Sequence, residues 1–80
     1  MKVYVLTYVI GQQPGNRQPD CEILVVGESK DDAMRRGIKR VIAERERWGY
    51  MCDYDGANVF VCHPNGNLCE TYTDFKVEEV

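Results

Sequence analysis

The chain has 80 residues, of which 44% are hydrophobic and 10% aromatic, and its formal net charge is -3. This composition is typical of a packed globule and excludes a disordered chain, and the length suits one domain of modest stability. The chain has no run of about 20 apolar residues, which a membrane-spanning helix requires. The sequence therefore predicts a single domain over residues 1–80 with no membrane partner.

The N-terminal residues predict two strands and the loop between them. Residues 2–10, KVYVLTYVI, carry β-branched or aromatic side chains on both faces, which indicates a central strand or one whose second face is an interaction surface. No small-residue cleavage site follows this stretch, so we expect no signal peptide and a location in the cytosol. Residues 11–20, GQQPGNRQPD, predict a hairpin loop, and residues 21–27, CEILVVG, predict the returning strand.

Residues 29–49 are the only stretch with a sustained helical period. Ser29 and Asp32 resemble a capping box at the start, and Gly49 ends the helix. The apolar residues recur at steps of three and four, which predicts one stripe facing a core: Met34, Ile38, Val41, Ile42 and Trp48. The opposite face collects a basic ridge, either an ordinary solvated helix face or an anion-binding surface: Arg36, Lys39, Arg40 and Arg47.

The C-terminal part returns to a period of two. Residues 50–54, 57–62 and 68–75 predict three strands, joined by turns at Asp55-Gly56 and at HPNGN. Residues 76–80 are either a short strand extension or a frayed acidic tail. The order ββαβββ predicts an α+β domain with an antiparallel sheet of four to five strands and one helix packed on one face.

A single helix covers one side of such a sheet, so we expect the other side to be open. Tyrosine has an apolar body and a polar tip, which suits either a half-buried sheet face or an interface. The chain has five tyrosines that are candidates for the open side, where they would offer a tyrosine-rich face for a homodimer: Tyr4, Tyr8, Tyr50, Tyr54 and Tyr72.

The residues that favour enzymatic chemistry are sparse. The four cysteines and His63 lack the paired spacing of zinc knuckles, and no glycine-rich phosphate loop is present. A disulfide between Cys62 and Cys69 is geometrically conceivable, although reducing cytosol favours free thiols. We therefore expect no metal, no cofactor, no small-molecule substrate and no catalytic residues, and a binding role instead.

Charge is unevenly distributed along the chain. Residues 1–48 carry more Lys and Arg than Asp and Glu, whereas Lys76 is the only basic residue after residue 48. Such an asymmetry steers a molecule towards a charged partner, although a solvated surface explains it equally well. The acidic residues of the second half form a candidate partner-binding patch: Asp53, Asp55, Glu70, Asp74, Glu78 and Glu79.

The arrangement as a whole resembles a known class of protein. A tyrosine-rich first strand, a polar loop, the strand EILVVGES, the helix KDDAMRRGIKRVIAE and a closing hairpin are similar to small phage-borne anti-CRISPR proteins directed at type I CRISPR-Cas systems. This resemblance implies a non-enzymatic inhibitor that binds subunits of the Cas surveillance complex and blocks target-DNA binding or nuclease recruitment. The acidic patch would then occupy a Lys/Arg groove meant for DNA phosphate, and the basic ridge would be the alternative contact.

Two other functions stay open at this point. One is a small nucleic-acid-binding or regulatory domain that uses the basic ridge, although the net negative charge disfavours binding to free nucleic acid. The other is a self-associating interaction module.

Overall fold

The computed structural model describes residues 1–11 and 19–80. The predicted loop over residues 11–20 lies largely outside these residues. The described part contains five strands and one helix: β1 (Lys2–Gly11), β2 (Cys21–Gly27), α1 (Lys30–Arg47), β3 (Met51–Tyr54), β4 (Val59–Cys62) and β5 (Leu68–Glu79). In this part of the chain no helix is both long enough and apolar enough to cross a bilayer.

The strands form one antiparallel sheet in the order β2-β1-β5-β4-β3, with α1 packed on one face. The predicted α+β class and the order ββαβββ are therefore confirmed. The long strand β5 holds the sheet together, because its first residues pair with β4 and its last residues pair with β1. Residues 76–79, for which the sequence left a strand or a frayed tail open, continue β5, since Lys76 pairs with Thr7 and Glu79 with Tyr4.

A β-bulge interrupts the pairing of β1 with β5. The register shifts between Thr7 and Val9, so that β5 holds one residue more than β1 over this stretch. Asp74 lies at the shift with a φ of 56°, in the left-handed region that non-glycine residues rarely adopt. The bulge bends β5 between its two pairing partners, and Phe75 stacks on Tyr8 with ring centroids 5.2 Å apart.

The hydrophobic core lies between α1 and the sheet. Leu6, Val59, Val61 and Tyr72 are completely buried there. The prediction that the tyrosines lie on the open face of the sheet is wrong. Tyr4, Tyr8 and Tyr72 belong to this core, and Tyr50 packs against it. In a strand the face is fixed by register, and the register places these rings on the side that the helix covers. Tyr54, 47% exposed, lines a groove beside α1 on the same side.

The helix approaches the sheet most closely at Gly37. A β-carbon at this position would lie 2.6 Å from Leu6 Cδ2 and 3.2 Å from Val25 Cγ1, so a larger residue would push α1 away from β1 and β2. Ala33, Ile38 and Val41 complete the buried face of α1.

The prediction that Trp48 belongs to the apolar stripe facing the core is wrong. Trp48 is 71% exposed, and it is the C-cap that follows Arg47, the last residue of α1. Its backbone N–H donates to the carbonyl of Arg45, in a tight last turn. The helical period no longer holds at a terminal residue, so a position on the periodic stripe does not bring Trp48 to the core.

The start of α1 is fixed by side chains, as the sequence predicts. The Ser29 hydroxyl accepts a hydrogen bond from the backbone N–H of Asp32 at 3.2 Å. The Asp32 carboxylate in turn accepts from the backbone N–H of Glu28 at 2.9 Å, one residue earlier than in a standard capping box.

Candidate functional site

The charged residues separate between the two layers of the fold. Helix α1 carries seven basic and four acidic residues. The six residues of the predicted acidic patch all belong to β3, β5 and the turn after β3. The molecule therefore presents a basic helical layer and an acidic sheet layer, which makes its surface potential strongly directional.

The predicted basic ridge is a continuous exposed surface on the outer face of α1. Arg36 pairs with Asp32 at 3.0 Å, and Arg47 lies 3.8 Å from Glu44. Arg40 donates to the backbone carbonyl of Leu24 at 2.7 Å and thereby covers part of the β2 edge. Lys39 makes no ion pair with any described residue. Three of the four ridge residues are thus engaged within the chain, which lowers the ridge's capacity to bind a separate anion.

Three of the six acidic residues lie at the end of the sheet formed by the turn between β3 and β4. Asp53 is exposed on the edge strand β3. The Asp55 carboxylate accepts hydrogen bonds from the backbone N–H groups of Ala57 and Asn58 at 2.9 and 2.7 Å, which hold its pKa below the ordinary value. Asp74 faces the same turn from the bulge of β5. We call these three residues the hairpin acids.

The other three predicted residues lie apart from the hairpin acids. Glu70 is half-buried and accepts a hydrogen bond from the Tyr72 hydroxyl at 2.9 Å. Glu78 and Glu79 lie at the far end of β5, where Glu79 is 3.6 Å from the Lys2 ammonium. Glu78 lies four residues after Asp74 along β5, a distance of about 14 Å in an extended strand. The structure therefore divides the predicted acidic patch into separate parts.

A groove runs along α1 beside the hairpin acids. Two adjoining cavities of about 480 and 310 Å³ share Met34, Ile38 and Tyr54 as their walls. Lys39 lies at the first cavity and Asp74 at the second, so the groove has an apolar floor with a basic end and an acidic end. One carboxylate oxygen of Asp74 is buried and lacks a hydrogen-bond partner among the described residues. We call this feature the hairpin groove. The apolar period of α1 is the part of it that is visible in the sequence.

A polar cluster lies under the C-terminal half of α1. Burial, together with the Cys21 side chain, raises the pKa of Tyr8 to about 12. Burial and the Glu70 carboxylate also raise the pKa of Tyr72. Both hydroxyls therefore stay protonated at neutral pH and act as hydrogen-bond donors. Arg45, which the sequence places within the apolar stripe, is half-buried here and lines a groove with Tyr8.

The cysteines and the histidine lie in separate surroundings. All four cysteines are free thiols, so the possible Cys62–Cys69 disulfide is not formed. His63 packs against the ring of Tyr50 with centroids 5.6 Å apart. Within residues 1–11 and 19–80, no three His, Cys, Asp or Glu side chains gather in a geometry that suits a metal ion.

The sheet face opposite α1 carries an aliphatic surface that residue-level prediction missed. Val3 pairs with Val26 and Val5 with Leu24 across β1 and β2. Leu24 is 62% exposed, and Val3 and Val26 are 43% and 46% exposed. The signal was present, because KVYVLTYVI is apolar on both faces, and the register shows that the aliphatic face is the uncovered one.

Comparison with family models, with curated proteins and with solved structures finds no match to this chain.

Proposed function

We propose that the chain is a non-enzymatic inhibitor that binds a type I CRISPR surveillance complex and blocks target-DNA binding or nuclease recruitment. Two things support this proposal: the resemblance of the sequence to small phage-borne anti-CRISPR proteins, and a surface suited to a basic protein groove. The observation that carries it is the position of one hairpin acid, Asp74, in the wall of the hairpin groove, next to the turn that holds Asp55.

The hairpin groove fits a long basic side chain of a partner protein. Lysine and arginine combine an apolar stem with a charged head, and the stem needs an apolar wall. Met34 and Ile38 supply that wall, and the half-buried Asp74 supplies the carboxylate at the acidic end of the groove. Asp55 extends the negative charge along the turn, whereas Asp53 projects from the opposite sheet face, since its neighbour Tyr54 lines the groove. Protein grooves that hold nucleic-acid phosphate are lined with Lys and Arg, which are the groups this surface would bind in place of phosphate.

The function is tested by phage plaquing on bacteria that carry an active type I system, with and without this protein. The proposal predicts restored plaquing and, with purified surveillance complex, either lost target-DNA binding or lost nuclease recruitment. A failure to restore plaquing in every type I subtype tested would contradict the proposal.

The surface is tested by neutralising the hairpin acids without changing their shape. The triple variant Asp53→Asn, Asp55→Asn, Asp74→Asn keeps the turn acceptor at residue 55, and asparagine tolerates the left-handed backbone at residue 74. We expect its affinity for the surveillance complex to fall at least about tenfold, with the difference shrinking as salt is raised.

The matched control removes three charges elsewhere. The variant Glu70→Gln, Glu78→Gln, Glu79→Gln has the same net charge as the hairpin variant, and we expect its affinity to change less than about threefold. Equal losses in the two variants would show that net charge, and not the hairpin surface, governs binding. A loss confined to the control would transfer the contact to the other end of β5.

The second candidate function is nucleic-acid binding through the basic ridge, favoured by the exposure of all four ridge residues on one side of α1. Fluorescence polarisation with labelled DNA and RNA at low salt separates the two functions. The inhibitor proposal predicts little affinity for free nucleic acid. Tight binding that Lys39→Gln weakens, with a reduced salt slope, would favour the second function instead.

A further inference from the structure

The free face of the sheet, opposite α1, carries its side chains in ordered rows where β2, β1 and β5 lie side by side. The first row holds Val26, Val3 and Val80, since Val80 donates its backbone N–H to Val3 at 2.9 Å. The second row holds Leu24, Val5 and Glu78. Strand β4 pairs only with residues 68–72 at the start of β5 and does not reach these rows. Five aliphatic side chains therefore lie together on this face.

The third row has an acidic residue, Glu22, on one side of Thr7 and a basic residue, Lys76, on the other. Thr7 of β1 pairs with Glu22 of β2 on one side and with Lys76 of β5 on the other. Two strand spacings separate Glu22 from Lys76, a distance of about 10 Å. Neither side chain makes an ion pair with any described residue, and both are exposed. Each is thus available to a partner of opposite charge.

We propose that a second copy of this chain covers the aliphatic end of the free face, with β1 stacked on β1 and a two-fold axis running parallel to that strand. A two-fold axis in this position exchanges the two sides of each row. Glu22 of each copy then faces Lys76 of the other, and Val26 faces Val80. The arrangement is self-complementary, as an isologous interface must be.

The second row fits the same arrangement at its margin. Leu24 of one copy faces Glu78 of the other, whose methylene stem covers the leucine while its carboxylate stays at the solvated rim. An apolar centre with a charged rim is the usual anatomy of a protein interface. Stacked sheets lie about 10 Å apart with their strands nearly aligned, which lets the side chains of three rows interdigitate.

The size of the surface sets the expected strength of the dimer. Three strands and three rows make a patch near the lower end of specific interfaces, so we expect a dissociation constant between about 1 µM and 1 mM. Helix α1 and the hairpin groove face away from this surface, and the dimer is therefore independent of the proposed inhibition.

Sedimentation velocity of the purified full chain, over protein concentrations from about 1 µM to 1 mM, measures the association directly. The proposal predicts a reversible monomer–dimer equilibrium. A sedimentation coefficient that stays monomeric over the whole range would overturn it.

Charge exchange tests the register of the interface. Glu22→Lys alone and Lys76→Glu alone each place like charges face to face at two positions of a homodimer, so each should dimerise about tenfold more weakly than the wild type. An equal mixture of the two variants restores both attractive pairs and should dimerise with nearly wild-type affinity. A mixture that associates no better than the separate variants would rule out this arrangement.

The aliphatic contact has a matched control on the same face. Leu24→Asp should abolish dimerisation, whereas Met51→Asp, which changes a residue 58% exposed at the other end of the sheet, should leave it unchanged. Both positions are exposed, so both variants are expected to fold, and circular dichroism checks this. A dimer that survives Leu24→Asp, or one that Met51→Asp disrupts instead, would contradict the proposal.

Discussion

At the scale of single residues, Asp32 joins two elements of the fold through its backbone and its side chain. Its carboxylate accepts a hydrogen bond from the backbone N–H of Glu28 and pairs with Arg36 and Arg35, while its own N–H donates to Ser29. The Glu28 N–H, followed by the two arginines, holds the pKa of this carboxyl below its ordinary value of 3.8. The side chain is only 13% exposed, and the contacts join the end of β2 to the first two turns of α1. One aspartate thus fixes where the helix begins and how the chain enters it.

The pH dependence of stability tests this role. A pKa lowered by folding means that ionised Asp32 stabilises the folded state above pH 3.8, and that this contribution is lost as pH falls through the lower folded value. Asp32→Asn should therefore unfold at a lower denaturant concentration than the wild type at neutral pH, and the gap should close in acid. Asp31→Asn, an exposed neighbour in the same turn, is the control and should show a much smaller effect. A gap for Asp32→Asn that is independent of pH would show that shape, and not charge, is responsible.

At the scale of elements, the position of α1 on the sheet depends on Gly37. Glycine is a poor helix former, and its replacement by alanine in a helix normally stabilises it by about 1 kcal/mol. Here the added β-carbon would lie 2.6 Å from Cδ2 of the completely buried Leu6, so either the leucine side chain or the helix must shift. Packing strain of about 1–3 kcal/mol opposes the gain in helix propensity.

We therefore expect Gly37→Ala to lower the free energy of unfolding by about 1 kcal/mol, the reverse of its usual effect. Urea denaturation measures this value. In a Leu6→Val background, which lacks the Cδ2 atom that the new β-carbon would meet, the penalty should shrink or change sign. A stabilising Gly37→Ala in the wild-type background would mean that α1 lies further from β1 than described.

The elements themselves were largely predictable from the sequence. Residues 21–27 match β2, and the Ser29 cap fixes the start of α1, because alternation and capping are local signals. The faces of the strands were not predictable to the same degree. Tyr4, Tyr8 and Tyr72 are as compatible with an open face as with a core, and only the register across β1 and β5 decides between the two. The extension of β5 was left open because the bulge at Asp74 breaks the alternation on which a strand prediction depends.

The candidate site was less predictable than the fold, for the same physical reason. Acidic residues that are close in sequence, such as Asp74 and Glu78, lie on different parts of the surface. The bulge at Asp74 changes the direction of β5, and the extended strand then carries Glu78 away from it. The hairpin groove depends on where α1 crosses the sheet, and the aliphatic free face depends on which side the helix covers. Both features depend on tertiary packing, so they cannot be predicted from amino-acid composition and hydrophobic periodicity alone.

At the scale of the whole molecule, three surfaces point in different directions. The basic ridge faces outward from α1, the hairpin acids and their groove lie at the turn between β3 and β4, and the aliphatic rows lie on the free face of the sheet. We propose that the hairpin acids and their groove bind a basic groove of a surveillance complex. We propose that the aliphatic rows bind another copy of the chain. In a face-to-face dimer two hairpin grooves remain exposed, so one dimer would have two partner-binding surfaces.

The proposed inhibition can be measured by titrating purified type I surveillance complex with this protein. The readout is the fraction of complex that completes target-DNA binding and nuclease recruitment. An inhibitor that acts by binding reduces this fraction in proportion to the amount added and reaches a plateau at a fixed molar ratio. We expect such a stoichiometric end point, with activity regained when the protein is competed away or diluted out. Complete inactivation by a small fraction of one equivalent, continuing with time, would contradict it, because only a catalyst can inactivate many complexes in turn.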